Sequence, residues 1–316
     1  MRLKSEQIII VLIVALPAIF AVLTGGRFLS TYNVSILMER FAIFMLVSLG
    51  GTFVIVMGSL DISYTGVFNL AGYMTAIYAA QYGPLAIIVG LCVGLLFGGI
   101  NGLLFTKARI PSLLVTLGTL GVSQGIVNYV GGGEAMWGLP VGGRLDFLLP
   151  YIFPNLPEKG ITLFAWAVAA TLLCFFIARF TKFGLHTYAI GSNEEAARLA
   201  GINVDRHRTM VFVLSALLAA LAGILNVPYA ENATAGAASG LLFITLATIV
   251  MGGTPLSGGR GGPHRTIIGV YILVVLLDGL TMMGVGTVEL QVIEGIVLIL
   301  AMLSVIRGSK TTQITT

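Results

Sequence analysis

A few polar side chains interrupt the long apolar runs of this 316-residue sequence. Carboxylate, amide and hydroxyl groups between helices can form hydrogen bonds with a polar solute, or they can join one helix to another. The residues that could line a polar path are Asp61, Ser63, Asn101, Thr116, Thr119 and Asp278. Their chemistry is reversible hydrogen bonding, so it suits transient contact and not bond cleavage.

Each of these positions also has a structural interpretation. Asp278 lies well inside an apolar run, where exposure to lipid would cost roughly 2.5–3.5 kcal/mol, so we expect either an interhelical hydrogen bond or a place on the path. Asp61 and Ser63, in GSLDIS, could simply cap the next helix. Asn101 and the two threonines lie among glycines that helix packing alone would explain. Glu294 begins another run and is expected to reach the outer membrane surface.

Covalent chemistry finds no support in the sequence. No His or Asp/Glu pair occurs at ligand spacing within an apolar run, and all three histidines fall between the runs. The tract GGTPLSGGRGG at 252–262 could cradle an anion, but it lacks the Gly-Lys-Ser/Thr ending of a nucleotide-binding loop. The chain is therefore expected not to be an enzyme, and its glycines are expected to form a tight turn.

The stretch SNEEAARLAG at 192–201 predicts a short helix between two apolar runs. Ser192 and Glu195 have the spacing of a capping box, and Glu194 and Glu195 occupy the first turn, where carboxylates are favoured. Gly201 stands where a left-handed C-terminal cap is expected. A helix this short is marginal alone, and Ala196, Ala197 and Ala200 would let another protein approach closely.

The elements that position these residues are membrane-spanning helices. The chain is 57% hydrophobic and 9% charged, and its mean hydropathy is +1.00. Apolar runs of about 17 to 23 residues match a bilayer core of roughly 30 Å, whereas a β-barrel would show shorter alternating segments. The fold class is therefore an all-α membrane protein of one domain. Ten spans are predicted at about 8–24, 41–58, 62–80, 84–105, 112–130, 161–180, 209–230, 239–253, 266–285 and 290–306.

The charges between the spans predict the orientation. With the N-terminus in the cytoplasm, thirteen Lys and Arg residues fall on the inner side: Arg2, Lys4, Lys107, Arg109, Arg179, Lys182, Arg198, Arg206, Arg208, Arg260, Arg265, Arg307 and Lys310. Four fall on the outer side: Arg27, Arg40, Arg144 and Lys159. This asymmetry requires an even number of spans and places both termini in the cytoplasm.

Two connections are longer than turns. The outer loop, at about 131–160, is rich in Gly and Pro and contains Trp137, Phe147, Tyr151 and Phe153, which suit the membrane interface. It could be a gate, a re-entrant segment, a docking surface or an ordinary interfacial loop. The inner loop, at about 181–208, contains the predicted short helix and many of the remaining charges.

Several stretches resemble a known family. Glu195-Ala196-Ala197-x-x-x-Gly201 is similar to the EAA-x-x-x-G coupling loop of ABC-importer permeases. The run GLHTYAIGSNEEAARLAGINVDRHRTMVFVLSALLAALAGIL at 184–225 resembles the ribose, xylose, arabinose and galactose-type sugar permeases, which are related to the branched-chain amino-acid permeases. Further matches are GSLDIS at 58–63, NGLLFTKARIPSLLVTLGTLGVSQGI at 101–126 and MGGTPLSGGRGG at 251–262. The order of the motifs across 40–306 makes the resemblance specific.

The resemblance implies a type II ABC-importer-like bundle in a bacterial inner membrane, carrying a small sugar or sugar-like solute. The residues expected to engage a cytoplasmic ATPase are Ser192, Asn193, Glu194, Glu195, Ala196, Ala197, Arg198, Leu199, Ala200 and Gly201. That ATPase would hold ATP and Mg²⁺, and this chain would bind no cofactor, metal or nucleic acid. The other expected partners are the lipid bilayer, a second permease subunit, identical or homologous, and an outer solute-binding protein.

The sequence departs from the family pattern at three places. Gly240-Leu241-Leu242-Phe243 replaces an acidic stretch, Gly262-Pro263-His264-Arg265 replaces the usual small residues, and Asp278 stands where Asn is often found. These differences leave the solute open: branched-chain amino acids or nucleosides are the alternative within the class. An ion-coupled secondary transporter is the alternative outside it, and Asp278 would then be the candidate for ion coordination.

Overall fold

A computed structural model describes residues 5–131, 136–137, 145–148, 159–238 and 240–312. The helices of these residues are α1 Ser5–Leu23, α2 Thr31–Val56, α3 Tyr64–Tyr82, α4 Ala86–Thr106, α5 Ser112–Gly131, α6 Lys159–Phe180, α7 Lys182–Ser192, α8 Glu194–Leu199, α9 Val204–Ala230, α10 Leu241–Met251, α11 Pro263–Met282 and α12 Thr287–Thr312. Single 3-10 turns occur at Arg27–Leu29, Gly83–Leu85 and Asp146–Leu148. Two short antiparallel strands, β1 Met136–Trp137 and β2 Asn232–Ala233, pair Met136 with Ala233 and Trp137 with Asn232.

Six segments of the described chain are long and apolar enough to cross a membrane: Thr31–Val56, Tyr64–Thr106, Ser112–Gly131, Gly160–Phe180, Val204–Ala230 and Pro263–Met282. The chain is thus a multi-pass, all-α membrane protein, as predicted. Each of the ten predicted spans overlaps a helix. The eighth, α10, has only 11 residues, so at 1.5 Å per residue it extends about 16 Å and cannot cross the core alone.

The second helix begins earlier than the sequence predicted. The predicted span began at about 41 and left Arg40 in the outer loop before it, but α2 starts at Thr31. The Ser30 side chain caps it by accepting a hydrogen bond from the Asn33 backbone nitrogen at 3.3 Å. Charged residues are tolerated inside this helix because neighbouring helices supply partners for them.

Helix α9 lies at the centre of the bundle and packs against α2, α3 and α4. Close approach depends on glycine at the crossing points. A Cβ atom on Gly98 of α4 would lie 2.6 Å from the Val213 Cα atom, and one on Gly72 of α3 would lie 2.8 Å from the Gly223 carbonyl oxygen. These distances are shorter than a van der Waals contact, so a side chain at either position would force the helices apart.

The glycine tract between α10 and α11 joins the second helix to the inner loop. The Gly259 backbone nitrogen donates to the Val56 carbonyl oxygen at 2.8 Å, and the Tyr188 hydroxyl donates to the Gly261 carbonyl oxygen at 2.9 Å. Gly258, Gly259, Gly261 and Gly262 all have positive φ, a conformation that favours glycine. The ends of α2, α7 and α10 therefore meet at one end of the bundle, together with α8.

Candidate functional site: the short helix α8 and the polar networks

The short helix α8 is specified at both ends by its own sequence. Its N-cap is Asn193, whose side chain accepts a hydrogen bond from the Ala196 backbone nitrogen at 3.0 Å. At its C-terminus the Ile202 nitrogen donates to the Ala197 carbonyl at 3.1 Å and the Gly201 nitrogen to the Arg198 carbonyl at 3.0 Å. With Gly201 at φ +82°, this is a Schellman motif, the left-handed end that the sequence predicted.

The predicted capping box from Ser192 to Glu195 is wrong. Ser192 is the last residue of α7, and the chain breaks helical geometry at Asn193, which has φ −161° and ψ 105°. Asparagine caps helices as well as serine does, so the preceding helix can extend one residue further before the turn. Glu195 is consequently free of a capping role, and its side chain has no hydrogen bond or ion pair within the described part of the chain.

An arginine of α9 holds α8 in place. Arg208 donates from Nη2 to Glu194 Oε2 at 2.6 Å and from Nη1 to Glu194 Oε1 at 3.0 Å, while its guanidinium carbon lies 4.8 Å from the centre of the Phe105 ring. Arg198 joins Glu194 at 3.0 Å to Asp205 at 2.8 Å. We refer to Glu194, Arg198, Asp205 and Arg208 as the latch.

Two opposing effects set the pKa of Glu194 in the latch. Partial desolvation would raise the pKa of Glu194, but the hydrogen bonds from Arg208 and Arg198 outweigh it and hold that pKa below its usual range. The sequence assigned Glu194 to the helix dipole and to the surface expected to engage an ATPase, and it missed the pairing with Arg208 and the role of Asp205. The signal was present, since opposite charges cluster at 194–208, but charge alone does not reveal which pairs meet.

The exposed face of α8 differs in part from the predicted one. Ala197 is buried against its own chain, so of the three alanines only Ala196 and Ala200 belong to the outer surface. Leu199 is 85% exposed and Glu195 is exposed as well. A short helix that presents an unpaired carboxylate, an apolar side chain and small residues can fit into a cleft of another protein.

Four of the predicted pathway residues form one buried network. The Asn101 amide donates to Ser63 Oγ at 2.7 Å, and Thr119 Oγ1 donates to Asn101 Oδ1 at 2.7 Å. Ser63 Oγ donates to one oxygen of Asp61 at 2.6 Å, and Ser215 Oγ donates to the other at 2.9 Å. The network joins the α2–α3 connection to α4, α5 and α9.

The members of this network are enclosed in the present arrangement. Asp61, Ser63, Asn101, Thr119 and Ser215 are all at most 8% exposed. Thr116 is also buried, and its hydroxyl bonds to the Ser112 carbonyl of its own helix at 2.9 Å. The geometry favours the packing interpretation of these residues, and contact with a solute stays a prediction. The sequence analysis did not single out Ser215, because one serine within an apolar run does not form a recognisable motif.

Asp278 makes an interhelical contact, one of its two predicted roles. Its Oδ2 accepts from the Asn33 amide at 2.9 Å, and its Oδ1 lies 3.6 Å from Nη1 of Arg40. Arg40, which the sequence placed in an outer loop, is therefore a partner within α2. The pair joins α2 to α11 and satisfies a carboxylate that is 2% exposed.

Glu294 was predicted to reach the outer membrane surface, but this prediction is wrong, because the residue is only 7% exposed. Helix α12 packs against α10, which covers this side chain. Its Oε2 atom has no hydrogen-bond partner among the described residues and lies 3.5 Å from the position of a Cβ atom on Gly240, the N-cap of α10. The N-terminal end of α10 has no side-chain cap, so its dipole faces this carboxylate favourably.

Two amides that the sequence did not single out position the segment before α10. Asn69 Nδ2 and Gln124 Nε2 each donate to the Ala235 carbonyl oxygen at 2.8 Å, and the Ala238 nitrogen donates to Asn69 Oδ1 at 2.9 Å. The segment is therefore attached to α3 and α5, and its strand β2 pairs with β1 of the outer loop. Most of the predicted outer loop, at 132–135, 138–144 and 149–158, lies outside the described residues.

Comparisons with known proteins agree with the resemblance seen in the sequence. The chain is 35% identical over 278 residues to the ribose import permease protein of Bacillus subtilis, covering 87% of this chain and 85% of that protein. It is 29% identical over 362 residues to a xylose transport system permease protein of Haemophilus influenzae, at 95% and 96% coverage, and 30% identical over 302 residues to a fructose import permease protein of Rhizobium meliloti, at 93% and 82% coverage. No solved structure matches the chain.

A family model described as the permease component of branched-chain amino acid transport systems matches residues 33–303. That range contains the polar networks, the latch and α8, and it covers most of the chain. The predicted resemblance to sugar permeases of ABC importers is confirmed by these relatives. The chain belongs to the family of branched-chain amino acid transport system permease components.

Proposed function

We propose that this chain is the permease subunit of an ABC importer that carries a small sugar or sugar-like solute across the bacterial inner membrane. The observation that carries the proposal is α8, a capped helix that is fixed to the start of the central helix α9 and whose Glu195 side chain has no partner among the described residues. Its relatives are named as importers of ribose, xylose and fructose. On this proposal both termini and α8 face the cytoplasm.

The proposed mechanism begins at the ATPase, which binds ATP and Mg²⁺ and contacts the exposed face of α8. This chain binds no cofactor itself. Because the latch joins α8 to α9, movement of α8 would be passed to α9 through Arg208. Ser215, two helical turns further along α9, would pass it to Asp61 and so to α3, α4 and α5. The ATPase would thereby shift the balance between two packings of the same helices.

Solute would enter from an outer binding protein and pass between this chain and a second permease subunit, identical or homologous. The outer loop at 131–160 is the proposed contact for the binding protein. Strand β1 of that loop pairs with β2, and the segment after β2 is held by Asn69 and Gln124. A shift of the outer loop could therefore reach the start of α10.

The sugar class is preferred over the alternatives. The name of the family model would favour branched-chain amino acids, whereas three relatives that cover most of the chain are named for ribose, xylose and fructose. A secondary transporter would need a carboxylate available to an ion, and Asp278 is already paired with Asn33 and Arg40. Nucleosides remain an alternative within the class.

The coupling role of α8 can be tested directly. Glu195→Ala removes the unpaired carboxylate, and Gly201→Ala places a side chain at φ +82°, which costs about 1 kcal/mol. We expect both variants to insert into membranes but to lose co-purification with the ATPase, or to let ATP hydrolysis proceed without uptake. Glu289→Ala, at the start of α12, is the control and should behave as wild type. Normal coupled uptake by both α8 variants would refute the assignment.

A further inference from the structure

A cavity of about 520 Å³ opens at the end of the bundle that holds α8, and the proposed transport mechanism does not use it. Three helices meet around it: the end of α6, the middle of α7 and the start of α11. Its lining consists of Phe175, Ala178, Arg179, Leu185, Tyr188, Gly261 and His264. The wall is fixed, because the Tyr188 hydroxyl bonds to the Gly261 carbonyl and the Phe175 ring lies 6.4 Å from the His264 ring.

The rim of this cavity is positively charged. Arg179 belongs to the cavity lining, and Arg265 is the residue directly after His264, which also belongs to it. In the described part of the chain neither arginine pairs with a carboxylate; Arg265 donates only to the Gly253 carbonyl, at 3.3 Å. One arginine in the lining and a second next to it in the sequence, both without a carboxylate partner among the described residues, favour an anionic group.

The surface that leads away from the cavity is apolar. Along the outward face of α6, Leu172, Phe176 and Phe180 are each more than half exposed, which is typical of a lipid-facing helix. A second cavity, of about 420 Å³, lies between α1, α2, α6 and α11, and its lining includes Phe164, Ile267 and Ile268. Phe164 precedes Phe175 by eleven residues, or about 16 Å along α6. The boundary between α6 and α11 is thus basic at one end and apolar deeper in the bundle.

We propose that this boundary binds an anionic phospholipid of the cytoplasmic leaflet. Its phosphate lies beside Arg179 and Arg265, and an acyl chain follows the apolar surface of α6 and α11. Basic cavities between helices at the cytoplasmic side suit anionic head groups, and here the charge and the apolar groove occur at the depths that a phospholipid requires. The assignment of the leaflet rests on the proposed function, whereas binding itself does not.

The experiment is native mass spectrometry of the purified full chain, titrated with phosphatidylglycerol or with phosphatidylcholine. Wild type should bind phosphatidylglycerol more tightly. The double variant Arg179→Gln/Arg265→Gln should weaken that binding by about 20- to 30-fold, since each arginine near an anionic surface contributes about five-fold. Ala178→Trp keeps both charges but fills the cavity, and it should cause a comparable loss. Lys107→Gln, which removes one charge at the end of α4, should match wild type.

Circular dichroism and thermal unfolding establish that each variant is folded before binding is compared. The proposal is overturned if the double variant stays within two-fold of wild type, or if the two phospholipids bind equally. It is also overturned if inorganic phosphate displaces the lipid at equal concentration, which would indicate a site for a free anion, or if added ATPase displaces it, which would indicate a protein contact. ATP-driven uptake is measured separately, so failure of lipid binding and failure of the transport proposal are distinguishable.

Discussion

At the scale of single residues, the two adjacent glutamates of the inner loop have different tasks. Glu194 turns toward its own chain and binds Arg208 and Arg198, whereas Glu195 is exposed and unpaired among the described residues. A side chain that holds the helix in place and one that is available to a partner are therefore next to each other. The amino-acid sequence alone does not distinguish the two roles, because both residues are glutamate.

The latch predicts a measurable coupling between Glu194 and Arg208. Arg208 is 16% exposed, so loss of Glu194 leaves a largely buried guanidinium with fewer partners. Since Glu194 is 41% exposed, solvent screens the pair, and a double-mutant cycle with Glu194→Gln and Arg208→Gln should give a coupling free energy of about 1 kcal/mol. Each single variant should also lower uptake per ATP hydrolysed.

The measurement is thermal unfolding of the four proteins of the cycle, together with the ratio of uptake to ATP hydrolysis. Arg206→Gln serves as control, because Arg206 lies on the same turn of α9 but outside the latch. Strictly additive single and double variants with unchanged ratios would contradict the role of the latch.

At the scale of elements, glycine decides how closely the helices approach α9. Gly98 and Gly99 are neighbours in α4, yet only Gly98 faces α9; a Cβ atom on Gly99 would have nothing within 4 Å. The sequence showed the glycines and predicted close helix crossing, but periodicity did not identify which of two consecutive glycines makes the crossing. The rotation of α4 about its axis, fixed by packing, determines this.

This pair provides a matched test of the α4–α9 contact. Gly98→Ala should lower the free energy of unfolding by about 1–3 kcal/mol, because the new methyl group would meet Val213, Phe212 and Ala216 at 2.6–2.9 Å. Gly99→Ala should be neutral or slightly stabilising, since alanine favours helix. Thermal unfolding in one detergent compares the two; equal stability of both variants would argue against the described packing.

At the scale of the whole molecule, the polar contacts link the end of the bundle that holds α8 to the interior of the bundle, by way of α9. The latch joins α8 to α9, and the network around Asp61 joins α9 to α3, α4 and α5. Asp278 and Arg40 join α2 to α11. A bundle connected this way can respond as a unit when a partner moves α8.

This connectivity predicts that ATP hydrolysis is the sole energy source for transport. In liposomes containing the permease, its ATPase and its binding protein, uptake should require ATP and continue when ion gradients are abolished. Asp278→Asn keeps a hydrogen-bonding group at the α2–α11 contact, so we expect uptake to show the same pH dependence as wild type. Uptake driven by an ion gradient without ATP would instead support a secondary transporter.

The sequence by itself determined the membrane class, the approximate positions of the helices and the presence and C-terminal cap of α8. These features are local, since apolar length, capping residues and glycine preferences act within a few residues of one another. The family resemblance was equally readable, because its motifs are contiguous. The predicted capping box was wrong by one residue only, since the N-cap of α8 is Asn193 and not Ser192.

Only the tertiary structure decided which polar groups meet. Asp278 pairs with residues about 240 positions away, Asp61 with Ser215, and Glu194 with Arg208 on a different helix. Each of these side chains could have satisfied its hydrogen bonds in several ways, and the sequence ranks none of them. The choice follows from the depth, rotation and spacing of packed helices, which depend on contacts summed over the whole bundle.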